Sequence, residues 1–156
     1  MSDPKSSVGS DILAERHRIA VEAKLRETLK DILVVEDSPI DGDRLRATLH
    51  LVLGRDGEVR RAETLASAID CVLERVPDLV FLDDYLKPSD SATDTIPYIR
   101  RAGYEGHIVV VSGEVDRHRR AKLVELGAPA AIHKDEVDSA VIQDVLGRLP
   151  GIAEDL

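Results

Sequence analysis

Residues 31–37 read DILVVED, an apolar run that stops at Glu36 and Asp37. Two further runs repeat the pattern: residues 78–84, DLVFLDD, stop at Asp83 and Asp84, and residues 107–113, HIVVVSG, stop at Ser112. A weaker fourth, AAIHK, stops at Lys134. Short continuous runs of Val, Ile and Leu suit strands buried on both faces of a parallel sheet, and in open α/β sheets the site lies just beyond the strands' carboxyl ends. The chain therefore gathers carboxylates, a hydroxyl and one ammonium at a single edge, a chemistry suited to a divalent cation and a phosphoryl group.

The segments between these runs read as helices. A strand at 31–36 leads to a helix over about 40–53, where Leu45, Leu49 and Val52 share a face, and Gly54 with Asp56-Gly57 breaks it. A short strand near 58–62 precedes a helix over about 65–75, capped by Thr64. After the strand at 78–83 comes a polar loop over 84–94, then a helix over about 95–102 that admits Pro97 only in its first turn. A strand over 107–112, a helix over about 115–126 ending at Gly127, a strand over 130–133 and a last helix over about 136–148 complete the pattern. Strands alternating with helices of this length imply an α/β fold, a doubly wound five-stranded parallel sheet of flavodoxin-like type spanning 31–149.

Upstream, residues 1–10 are rich in Ser, Gly, Asp and Pro and are expected to be disordered. Residues 11–30 hold strong helix formers with no Gly or Pro, and Ser10 or Asp11 can cap them. The apolar residues of this extra N-terminal helix keep no heptad, so both a helix docked on its own domain and a dimerisation or partner-binding helix stay open. Residues 150–156 form a C-terminal tail.

Composition narrows the function. The chain has 156 residues, 43% apolar and 33% charged, which suits one globular domain with an aliphatic core. A net charge of −9 argues against nucleic acid as the main partner. The Arg117–Arg120 run is either a solvated helix face or a small anion site. A single cysteine, Cys71, excludes an internal disulfide and a Cys-rich zinc site, and its apolar surroundings make it a small buried hydrophobe. No signal peptide and no run of roughly 20 apolar residues is present, so no membrane partner and a cytoplasmic location are expected.

Glu36, Asp37 and Asp83 at one edge would repel each other and raise one another's pKa unless a hard cation neutralises them. Magnesium, which takes few carboxylates plus waters and substrate oxygens, meets that need. Lys134 adds a positive charge, Ser112 a hydrogen-bond donor, and one carboxylate can attack phosphorus.

The pieces ILVVEDSP at 32–39, PDLVFLD at 77–83, VVVSGE at 109–114 and the Lys134 that ends AIHK, in this order on a βα alternation, resemble the receiver domain of two-component response regulators. The resemblance implies that Glu36 and Asp37 are the acidic pair holding Mg2+, Asp37 directly and Glu36 through water. It implies Asp83 as the phosphoryl acceptor, with the Tyr85 backbone carbonyl as a further metal ligand. Ser112 matches the switch hydroxyl, Lys134 the lysine that pairs with the phosphoryl group, and Glu114 lies where the family tunes dephosphorylation. Asp84 remains an alternate acceptor, because Pro88 lies four residues beyond it; Asp83 is favoured, since a one-residue shift turns the side chain to the other face of the strand.

Three departures stand out. Asp135 follows Lys134 where the family often has a cis proline, and Ala131 falls on the switch aromatic. The 84–94 loop, DYLKPSDSATD, lacks the usual glycine after the proline. With only PGIAEDL after the last helix, a stand-alone receiver is expected, not an enzyme beyond self-phosphotransfer and autodephosphorylation. It would be charged by a sensor histidine kinase or a histidine phosphotransfer protein and act on a downstream target protein by docking or phosphate shuttling, with a homodimer through the N-terminal helix conceivable. A receiver-like binding module independent of phosphorylation is the alternative. An aspartyl phosphatase of haloacid-dehalogenase type fails at Tyr85, where a second Asp is needed, and a dinucleotide-binding enzyme fails for want of a Gly-rich turn after the first strand.

Overall fold

A computed structural model describes residues 4–86 and 90–156. Five strands, β1 (Asp31–Val35), β2 (Glu58–Ala62), β3 (Leu79–Asp83), β6 (Ile108–Ser112) and β7 (Ala130–His133), form one parallel sheet in the order β2-β1-β3-β6-β7. The expected doubly wound architecture is therefore present. Tyr85–Leu86 (β4) and Asp90–Ser91 (β5) pair antiparallel as a small ribbon where the sequence reads as a polar loop. Pro88, on which the alternate acceptor spacing rests, lies outside the described residues.

Side chains alternate between the two faces of each strand, so each strand feeds two cores. Ile32, Val34, Leu79, Phe81, Val109 and Ile132 pack with Leu45, Leu49 and Val52 of α2 (Pro39–Leu53) and with Ile142 and Leu146 of α6 (Ser139–Gly147). Leu33, Val35, Val80, Leu82, Ile108 and Val110 pack with Ala68 and Val72 of α3 (Leu65–Glu74), Ile96 and Ile99 of α4 (Ala92–Arg101), and Leu123 of α5 (Arg117–Glu125).

The helix starts are chemically determined. Ser38 caps α2 by accepting from the Asp41 N–H at 3.3 Å, with Pro39 preset for the first turn. Thr64 and Ser67 form a reciprocal capping box on α3. Asp116 caps α5 and Asp138 caps α6.

Several expected boundaries move. The N-terminal helix α1 (Pro4–Thr28) starts well before residue 11, so residues 4–10 are helical and not disordered; a proline in the first turn costs no hydrogen bond there, which offsets the Ser/Gly composition. Residues 1–3 lie outside the described residues. Helix α4 starts at Ala92 and carries Pro97 inside it, so the first-turn expectation for Pro97 is wrong. Cys71 is half-buried, not enclosed. The last helix begins three residues late because Lys134–Glu136 form a 3-10 turn first.

Helix α1 docks on its own domain. Leu25 and Leu29 are buried in the α2/α6 core, and Arg26 Nε donates to the Val52 carbonyl at 3.3 Å, at the end of α2. Gly147 lets α1 approach closely: a Cβ there would stand 3.0 Å from Val21 Cγ1. Val8, Ile12, Leu13 and Ile19 of the same helix are exposed. The C-terminal residues also dock, with Ile152 and Ala153 buried and the His107 ring nitrogen donating to the Pro150 carbonyl at 2.7 Å. Among the described residues, no helix is long and apolar enough to cross a membrane.

Candidate functional site

Strand parity decides which groups meet. Glu36, Asp83 and Lys134 each continue the alternation of strand residues that face α2 and α6, while Asp84 and Ser112 continue the opposite one. Asp83 is 3% exposed at the end of β3. Lys134 Nζ lies 3.2 Å from Asp83 Oδ1 and 3.9 Å from both Glu36 Oε1 and Asp41 Oδ2. The Tyr85 N–H donates to Asp83 Oδ1 at 3.3 Å. Glu36, Asp37 and Asp83 each present an oxygen within 4.8 Å of the others.

The β1–α2 turn that carries the acidic pair is held by Arg61, whose Nη2 donates to the carbonyls of Glu36 at 3.1 Å and Ser38 at 3.3 Å. Arg44 Nη2 donates to the Val137 carbonyl at 3.1 Å, tying α2 to the segment after Lys134. These contacts close a cleft lined by Glu36, Asp41, Arg44, Asp83, Lys134 and Val137.

The electrostatics are those of a site short of positive charge. Burial, and then the Asp83 carboxylate alongside, push Glu36 up to about 9. Glu36 Oε1 is buried without a hydrogen-bond partner among the described residues. Burial works to lower Lys134, but the charges of Asp83 and Glu36 outweigh it and hold the ammonium above its ordinary value. Three clustered carboxylates, one with an orphaned oxygen, fit a hard cation with oxygen ligands.

Asp84 lies elsewhere. It is fully buried and receives the Ser112 hydroxyl proton at 2.7 Å on Oδ2. Arg119, from the first turn of α5, donates Nε to the same oxygen at 2.9 Å and a terminal nitrogen to Oδ1. Its other terminal nitrogen donates to Thr93 Oγ1 of α4 at 3.1 Å. The Asp84 hydrogen bonds raise the Arg119 pKa above its ordinary value. Ser112 also accepts from the Glu114 N–H at 3.0 Å, and the Glu114 side chain is exposed.

The structure thus brings Glu36, Asp37, Asp83 and Lys134 together and puts Ser112 with Asp84 on the neighbouring face. Tyr85 opens the small ribbon directly after the site, with its ring exposed. Sequence reasoning missed Asp41 as a partner of Lys134. It did not single out Arg119 within the cation run that reads as either a solvated helix face or a small anion site. Arg117, His118 and Arg120 are indeed exposed. At the two departures, the Asp135 N–H donates to His133 Nδ1 at 3.1 Å, a bond a proline could not make, and Ala131 is buried.

The comparisons agree with this geometry. The response regulator receiver domain model matches residues 32–146. No curated protein sequence matches the chain. Among solved structures, the BeF3-activated N-terminal receiver domain of RstA from Klebsiella pneumoniae is similar, with 28% identity, a TM-score of 0.61 and coverage of 74% of this chain and 93% of that one. NtrX from Brucella abortus shares 28% identity at a TM-score of 0.66, over 76% of this chain and 26% of that one, so the similarity spans only about a quarter of NtrX. A response regulator from Burkholderia pseudomallei with a phosphorylated aspartic acid and a calcium ion shares the fold, at 21% identity and a TM-score of 0.64 over 75% of this chain and 66% of that one. With the family model matching residues 32–146, most of the chain, the protein belongs to the response regulator receiver domain family.

Proposed function

We propose that this chain is a response regulator receiver that accepts a phosphoryl group on Asp83 from the phosphohistidine of a sensor histidine kinase or histidine phosphotransfer protein. The observation that carries this reading is the Asp83 carboxylate held 3.2 Å from Lys134 Nζ and within ligand distance of Glu36 and Asp37. The receiver of RstA was captured with BeF3, and the Burkholderia protein with a phosphorylated aspartic acid, which supports the same chemistry here.

Asp37 and Asp83 would hold Mg2+ directly, Glu36 through water, and the Tyr85 carbonyl would add a ligand. The bound cation supplies positive charge to the phosphoryl oxygens. An Asp83 oxygen attacks phosphorus in line as the phosphorus–nitrogen bond breaks. The electron pair stays on the imidazole, which takes a proton from solvent. Lys134, charged because Asp83 and Glu36 keep it so, pairs with the transferred group. Loss of the group to water returns the resting state, so the chain turns over no separate substrate.

Signalling then follows by phosphorylation-dependent docking to a target protein or by passing the phosphoryl group on, in the cytoplasm, with no nucleic acid involved. A phosphate-independent binding module is the second reading, favoured by Ala131 and by Ser112 being engaged with Asp84. Intact mass after incubation with Mg2+ and acetyl phosphate separates them. The parent and Asp84→Asn gain one phosphoryl group and Asp83→Asn does not; no gain in the parent, from acetyl phosphate or a phosphohistidine donor, supports the binding module.

A further inference from the structure

The Ser112 hydroxyl, which the resemblance makes the switch hydroxyl, is already hydrogen-bonded to a neighbouring carboxylate in this chain. Ser112 carries a single proton with two acceptors in reach, Asp84 Oδ2 at 2.7 Å and the Glu114 carbonyl at 3.0 Å, and the shorter, charge-assisted bond to Asp84 takes it. Asp84 is not a passive acceptor. Its carboxylate is fully buried, takes both Arg119 contacts, and accepts from the Ala92 N–H at 3.3 Å, while its carbonyl accepts from the same N–H at 2.7 Å. Arg119 in turn reaches Thr93. One carboxylate thus joins the end of β6, the first turn of α4 and the first turn of α5. Ala131 stands where the resemblance places the switch aromatic, so this chain carries no aromatic ring at that position.

Resting on the assignment of Asp83 as acceptor, we propose that Asp84 and Arg119 form a latch. Asp84 is a positioning residue that holds the Ser112 hydroxyl off the phosphoryl site, and its release is what carries the signal to α4 and α5. A phosphoryl group on Asp83 competes with Asp84 for the one Ser112 proton, because the hydroxyl cannot donate to both. When the proton goes to a phosphoryl oxygen, Asp84 loses an acceptor contact in a site closed to water. The fork from Arg119 and the Ala92 N–H must then carry the buried charge without the hydroxyl, and the first turns of α4 and α5 loosen or shift to compensate.

The latch opposes activation in the resting protein, so weakening it makes the site easier to fill. Beryllofluoride with Mg2+ is the probe, measured by titration calorimetry. Asp84→Asn, which keeps the shape and removes the charge, binds it about tenfold tighter than the parent, the scale expected for a charge-assisted hydrogen bond partly relieved. In a Ser112→Ala background the same substitution changes nothing, since no proton remains to be held. In the parent, beryllofluoride raises amide exchange at Ala92, Thr93 and residues 117–120. Unchanged or weaker binding by folded Asp84→Asn, or an equal effect in both backgrounds, overturns the latch while leaving Asp83 as acceptor. Failure of the parent to bind beryllofluoride overturns the acceptor assignment and the latch with it. If Asp84→Asn does not fold, the exchange in the parent decides: no change at α4 and α5 on beryllofluoride binding overturns the latch.

Discussion

Asp83 and Asp84 are adjacent in the chain yet belong to different sites: Asp83 meets Lys134 Nζ at 3.2 Å toward α2 and α6, while Asp84 takes the Ser112 hydroxyl at 2.7 Å toward α4 and α5. Strand alternation alone separates them. The two carboxylates therefore answer differently to every perturbation that follows.

The Asp84–Arg119 pair is buried, with the Asp84 side chain fully enclosed. Removing one member leaves an uncompensated charge, so Arg119→Met destabilises the fold by about 3–5 kcal/mol. Combining it with Asp84→Asn returns a large part of that loss. Urea unfolding of the two single variants and the double variant gives the coupling directly; simple additivity would contradict the pair.

Without a divalent cation, stability falls as pH rises. Glu36 titrates at about 9 in the folded chain against 4.5 ordinarily, so the fold favours its protonated form. That contribution is complete below about 4.5 and disappears as pH climbs through about 9. Mg2+ replaces the proton as the neutralising partner, so its stabilising effect is larger at pH 9 than at pH 5. Urea midpoints at fixed ionic strength, with and without Mg2+, check the slope, and Glu36→Gln flattens it.

Lys134 is the ammonium for both Asp83 and Glu36. Lys134→Met leaves the acidic cluster without its nearest cation and lowers the rate of phosphoryl gain from acetyl phosphate at least about tenfold. It raises the Glu36 pKa further, because the lysine charge is what holds it down. Timed intact-mass spectra measure the first effect.

Helix α1 is part of the domain through Leu25, which is fully buried in the α2/α6 core. Leu25→Ala costs about 2–5 kcal/mol. Val8→Ala, on the exposed part, changes stability by under about 0.5 kcal/mol. Equal effects from the two would show that α1 does not dock as described.

The fold was largely legible because each buried strand announces itself as an unbroken aliphatic run, and because Gly54, Thr64 and Gly127 punctuate the helices. The acidic cluster and Lys134 were legible because they end those runs. What escaped was set by tertiary placement. In RHRRAK the cations look alike, and only the tertiary placement of the first turn of α5 beside Asp84 selects Arg119 as the one that turns inward. A signal did exist: Asp84 shares strand parity with the buried Val80 and Leu82, so it demanded a cation from the α4–α5 side. Pro97 misled in the opposite direction, since a proline inside α4 is carried by the packing of Ile96 and Ile99 and not by helix propensity.

The central claim is that Asp83, and not its neighbour, receives the phosphoryl group. Borohydride reduction of the protein after incubation with Mg2+ and acetyl phosphate converts the phosphorylated aspartate, an acyl phosphate, to homoserine, and peptide sequencing by mass spectrometry locates it. Homoserine at position 83 with Asp84 intact is the expected result; homoserine at position 84, or at neither in protein that has gained the phosphoryl mass, would contradict the account.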